Sequence, residues 1–144
     1  MRRWLALGFV LGLALAASPV YALCTVTALP VVFGAYNPLS SQNVDAVGSV
    51  TLACVPASAY TVTLSTGLGT YSARRMASGS YAISYNLYLD AARSVVWGDG
   101  SGTTSRVADS AASATYPVYG RIPGSQSAAG VGAYTDTITV TVAF

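Results

Sequence analysis

Thr137-Ile138-Thr139-Val140-Thr141-Val142-Ala143-Phe144 alternates strictly with a period of two residues. Successive side chains of a strand point to opposite faces, so Ile138, Val140, Val142 and Phe144 share one side and Thr137, Thr139, Thr141 and Ala143 the other. A helix would instead space its apolar residues three and four apart. The stretch therefore predicts a strand with one buried and one wet face. The same alternation recurs upstream, where Ile83, Tyr85, Leu87 and Leu89 oppose Ser84, Asn86, Tyr88 and Asp90. Two such strands argue against a helical fold.

Outward from these, residues 31–33, 47–54, 60–65, 83–90, 116–122 and 134–144 are rich in β-branched and aromatic side chains and predict strands. Clusters of Gly, Ser, Pro, Asn and Asp at 34–38, 66–69, 77–80, 98–102 and 123–132 predict the turns between them. Residues 101–114 are small and polar and fit either a loop or a weak edge strand. Short strands without an intervening helical pattern predict an all-β chain, an antiparallel β-sandwich of immunoglobulin or Greek-key type. A small barrel has the same period and remains the structural alternative.

The N-terminus addresses the chain. Arg2 and Arg3 precede an apolar run over 5–16, then small residues and Pro19, the order of a secretory signal peptide. The run is short for a stable membrane anchor. Cleavage is expected after Ala22; a cut after Ala16 would consume part of the apolar run. This divides the chain into a leader, 1–22, and one domain, 23–144, exported to the periplasm and onward, with no membrane span after cleavage. Losing Arg2 and Arg3 leaves five of the seven basic residues against five acidic ones, a formally neutral domain. It has no basic stripe for phosphate backbones, so nucleic acid is not expected as a partner. With so few charges, such a surface favours association. Cys24 and Cys54 are the only cysteines. In an oxidising compartment the simple expectation is one disulfide, two free thiols being the alternative. The bridge would close a loop of about thirty residues and contribute roughly 3 kcal/mol on the chain-entropy argument.

Catalysis needs groups that titrate, attack or hold a metal, and the sequence contains no His, Lys or Glu. Its serines have no imidazole to activate them, which excludes a Ser-His-Asp triad. Asp45, Asp90, Asp99, Asp109 and Asp136 mostly sit beside Gly, Ser or Thr, where an Asp side chain caps a turn. Gly98-Asp99-Gly100 offers one oxygen ligand where a calcium loop needs several at fixed spacing, and reads as a tight turn after Trp97. No enzyme activity, metal or cofactor is expected. The tyrosines, among them Tyr85, Tyr119 and Tyr134, read first as core packing and second as a binding face. Arg74 and Arg75 read as a solvated strand edge that discourages unwanted pairing.

Set in order, Cys24-Thr25-Val26, Phe33-Gly34-Ala35-Tyr36-Asn37-Pro38, Val50-Thr51-Leu52-Ala53-Cys54, Arg75-Met76 and Tyr85-Asn86-Leu87-Tyr88-Leu89-Asp90 resemble the spore coat protein U domain family. Trp97-Gly98-Asp99-Gly100, Val118-Tyr119-Gly120-Arg121-Ile122, Gly132-Ala133-Tyr134-Thr135-Asp136-Thr137 and Val140-Thr141-Val142-Ala143-Phe144 continue it. The family includes the spore coat protein that names it and the subunits of archaic chaperone–usher pili of the Csu type. The resemblance implies an immunoglobulin-like sandwich that is strand-deficient. A periplasmic chaperone fills the exposed groove first, and a segment of the next subunit then replaces it, by strand addition to an open sheet edge. It also implies that Cys24 and Cys54 form the family's disulfide, and that Ile138, Val140, Val142 and Phe144 supply groove wall or core beside the incoming strand.

Shaft subunits of this type carry a donor segment before the first Cys, whereas cleavage after Ala22 leaves only Leu23. The expectation is a tip or minor pilus subunit that receives a strand and gives none, serving adhesion and biofilm formation. Its partners would be the chaperone, an outer-membrane usher and other subunits. A structural coat protein and a secreted binding domain for a small ligand or carbohydrate are the alternatives.

Overall fold

The computed structural model describes residues 21–144 and is all-β. The leader expected at 1–22 lies, except for its last two residues, outside the described residues. In chain order the strands are β1 (Leu23–Leu29), β2 (Val44–Val55), β3 (Tyr60–Leu64), β4 (Arg74–Ser78), β5 (Tyr81–Tyr88), β6 (Val107–Asp109), β7 (Ser113–Ile122) and β8 (Val140–Ala143). Five form a sheet in the order β1-β2-β7-β5-β4 and three a second sheet in the order β6-β3-β8. Every strand pair is antiparallel. No helix among the described residues is long and apolar enough to cross a membrane.

The core lies between the sheets. Val50, Leu52 and Cys54 of β2, Ile83, Tyr85 and Leu87 of β5, and Val118 and Ile122 of β7 face Tyr60, Val62 and Leu64 of β3, all buried. Their two-residue spacing is the pattern that predicted the strands. Trp97 fills the centre, fully buried, and donates its indole N–H to the Val62 carbonyl at 3.1 Å. Its ring meets Tyr116 edge-on. The disulfide joins Cys24 to Cys54, which oppose each other across β1 and β2.

Several segments differ from the sequence reading. Residues 31–33 form no strand: Pro30 cannot donate to a ladder, and the chain beyond it crosses the inner face of the large sheet. A Cβ on Gly120 would come within 2.6 Å of Phe33 and Val31, so the bare backbone of β7 is what lets them lie there. Of residues 134–144 only Val140–Ala143 are strand, because Thr135 pairs with Ala77 of β4 while Val140 pairs with Leu64 of β3. The segment thus passes from one sheet to the other. The undecided stretch 101–114 contains β6 and the first residues of β7. β1 forms where the sequence predicts no strand, β4 runs on from the strand edge expected at Arg74-Arg75, and the turn expected at 77–80 tightens to Gly79-Ser80, with φ +57° at Gly79.

Arg74 is the sharpest reversal. It is fully buried rather than solvated. In β4 it shares the inward face with Met76 while Arg75 points out. Its Nε and Nη2 donate to the Ser65 carbonyl, Nη2 also to the Trp97 carbonyl, and Nη1 to Asn86 Oδ1 at 2.7 Å. Burial pulls its pKa down, opposed by nearby tyrosines and Asp136.

Candidate functional site

The two sheets do not close on each other along one seam. A cleft of about 440 Å³ opens there. One rim is the end of β1 and the crossing segment, Ala28 to Phe33; the other is the segment from Tyr134 to Val140. Val50, Leu64, Met76, Tyr85, Leu87 and Val118 form its floor. The floor is therefore the core itself, reached from outside.

Among the described residues each rim keeps some backbone without partners, although Thr135 is bonded to Ala77 and Thr139 to Ser65. β8 is the terminal strand of its sheet, so among the described residues the edge of Val140–Ala143 turned away from β3 is unpaired. β1 is terminal in the other sheet. Between them, the backbone of residues 31–33 makes no hydrogen bond to any described residue. Exposed N–H and C=O groups on a flat edge are a template for another strand. The side chains agree. Val26 lies opposite Leu52 and so on the inward face of β1, yet it is 44% exposed.

Ile138, Val140 and Val142 keep the alternation read from the sequence, but none is fully buried. Ile138 and Val140 line the cleft; Val142 packs on the core from β8, opposite Val62. Phe144 lies past the end of β8 and is 67% exposed, so it is not brought to the cleft.

Two cleft residues stand out that sequence reasoning did not single out as a site. Asp136 accepts hydrogen bonds from the Tyr85 hydroxyl at 2.6 Å, from the Leu68 N–H at 3.1 Å and from its neighbour Thr137 N–H at 2.8 Å. Burial and this carboxylate push the Tyr85 pKa up. The bond to Thr137 is the turn cap expected of an Asp beside Thr; the link to Tyr85 spans residues remote in sequence and left no local signal. Asp90 and Asp99 serve local structure. Asp99 accepts the Ser101 N–H, an Asx turn in Gly98-Asp99-Gly100, and Asp90 takes the Ser94 and Val95 N–H groups.

The model of the Spore Coat Protein U domain family matches residues 11–141. Protein U of Myxococcus xanthus is 34% identical over 126 residues, covering 78% of this chain and 70% of that protein. Among solved structures, the chaperone–tip adhesion subunit pre-assembly complex CsuC–CsuE, from archaic chaperone–usher Csu pili of Acinetobacter baumannii, superposes with a TM-score of 0.60 at 22% identity. That match covers 87% of this chain but 40% of the solved one, and what it establishes is a common fold. With the family's sequence matched from end to end of an antiparallel sandwich, the chain belongs to the spore coat protein U domain family.

Proposed function

We propose that this chain is an exported, non-catalytic subunit of a chaperone–usher pilus, and that its cleft takes a β-strand from another protein chain. A periplasmic chaperone supplies the strand first, and a neighbouring subunit, handed over at an outer-membrane usher, replaces it. The observation that carries the reading is the 440 Å³ cleft, where apolar core lies open between two rims whose backbone is only partly paired among the described residues. An extended strand answers both needs at once, since its main chain pairs with the rims and every second side chain enters the cleft. The likeness to a subunit solved in a chaperone pre-assembly complex supports it. That neighbour's description as a tip adhesion subunit favours a tip or minor position here, with adhesion and biofilm formation as the outcome.

The test is co-expression with the periplasmic chaperone. A stable one-to-one complex is expected, together with loss of free subunit when the chaperone is absent. A chain that accumulates alone as a protease-resistant monomer would contradict the proposal. N-terminal sequencing of the secreted form should begin at Leu23.

The 34% identity to Protein U favours a second reading, a structural coat protein. Surface fractionation separates the two: a pilus subunit sediments with sheared filaments, a coat protein with the cell or spore body.

A further inference from the structure

The cleft has one polar end. At Thr135–Thr137 it meets a second cavity of about 390 Å³, lined by Ser65, Thr66, Gly67, Leu68 and Thr139. Asp136 lines both, and no other charged side chain lines either one. Its three hydrogen-bond donors, Tyr85, Leu68 and Thr137, are all neutral. Among the described residues it has no ion-pair partner: the salt bridges there belong to Asp45, and the buried Arg74, whose charge feels Asp136, donates instead to Ser65, Trp97 and Asn86. A carboxylate offers about four acceptor positions, so one is left for a group arriving from outside. Gly67, at φ +60°, forms the wall beside it, and a Cβ there would overlap the carboxylate. Glycine at 67 is thus what lets the Asp136 carboxylate lie against this loop at the junction of the two cavities.

Building on the reading of the cleft as a strand acceptor, we infer that the strand it takes carries a basic side chain, a lysine in the simplest case, set against Asp136 at the junction of the two cavities. A lysine stem lies well along apolar surface while its ammonium reaches a polar pocket. The resulting charge-assisted bond is stronger than one between neutral groups and fixes the register of an otherwise repetitive apolar strand. An acidic side chain at that position would be repelled.

The test uses the purified chain and synthetic peptides of about ten residues, alternating valine and threonine, in which a single lysine, glutamine or glutamate is moved one position at a time. At one register the lysine peptide is expected to bind about tenfold tighter than the glutamine peptide, and the glutamate peptide more weakly than either. Raising the salt should shrink that advantage. Asp136→Asn, which keeps an acceptor for the Tyr85 hydroxyl, should abolish it. Equal binding of lysine and glutamine peptides at every register would overturn the inference and leave the cleft a strand acceptor. Failure of every peptide to bind would remove both readings. The lysine–glutamine comparison is made on the unaltered protein, so it does not depend on the variant folding.

Discussion

A guanidinium taken wholly out of water survives only if its donors are met, and Arg74 meets them with two carbonyls and an amide oxygen rather than a carboxylate. The Tyr71 ring lies over it at 5.5 Å. These contacts tie β4 to the end of β3, to the Trp97 segment and to β5. Arg74→Met should cost about 3 kcal/mol in denaturant unfolding, because the Ser65 and Trp97 carbonyls and the Asn86 amide lose their partner inside the core. Arg74→Lys should recover little, since one ammonium cannot span the same acceptors.

Asp45 is the opposite case, a surface carboxylate held by Arg121 at 2.7 Å and Arg93 at 3.3 Å. Hydrogen bonding to Arg121 lowers its pKa below the usual 3.8, and the charges of Arg121 and Arg93 act the same way. Its contribution to stability is present above 3.8 and is lost as pH falls through the lowered folded value. Asp45→Asn should therefore be less stable than the native chain at pH 7. Thermal unfolding at falling pH should show the two converging in the acid range, and adding salt at pH 7 should also narrow the gap.

At the scale of elements, β1 is an edge strand held along one side only, by its ladder to β2 and by the Cys24–Cys54 bridge near its start. Cys54→Ser should lower stability by roughly 3 kcal/mol on the chain-entropy argument and reduce the periplasmic yield of folded protein. Recovery of two titratable thiols from the native protein would refute the bridge. Ile138 and Val140 line the cleft without being buried. Ile138→Asp should therefore weaken capture of a partner strand far more than it lowers the stability of the isolated chain. Stability and complex yield, measured on the same variant, separate the two effects.

The strands that faced the core on one side were readable from periodicity: β2, β3, β5 and β7 each lie within a few residues of the expected span. β1 escaped because its inward side, Val26 and Ala28, is not covered and its residues carry no contrast between faces. β4 showed only as an edge at Arg74-Arg75 because an inward-facing arginine breaks the apolar alternation on which the reading depends. The larger part of residues 134–144, which is not strand, departs from the reading for a related reason. Alternation reports which face a residue takes, but not that the segment leaves one sheet for the other at Thr135–Val140. For the residues that line the cleft, alternation gave only the face that Ile138 and Val140 share, and a groove beside them was implied by the family resemblance alone; Phe33, Tyr85 and Asp136 come together only in the folded chain.

On the scale of the whole molecule, the sandwich has a packed interior around Trp97 and an unfinished seam at the cleft. Sheet edges are normally blunted by charge, proline or a covering segment, whereas among the described residues β8, Val140–Ala143, has none of these on its free edge. On the proposed function, a partner strand completes part of the core, and stability and assembly become one equilibrium. Backbone amide hydrogen exchange reads that dependence directly. The isolated chain should exchange rapidly at residues 31–33 and along the free edge of β8, while β2, β3 and β5 stay protected. In complex with the chaperone, both rims should become protected together. Rims already as slow as the core in the isolated monomer would contradict the account.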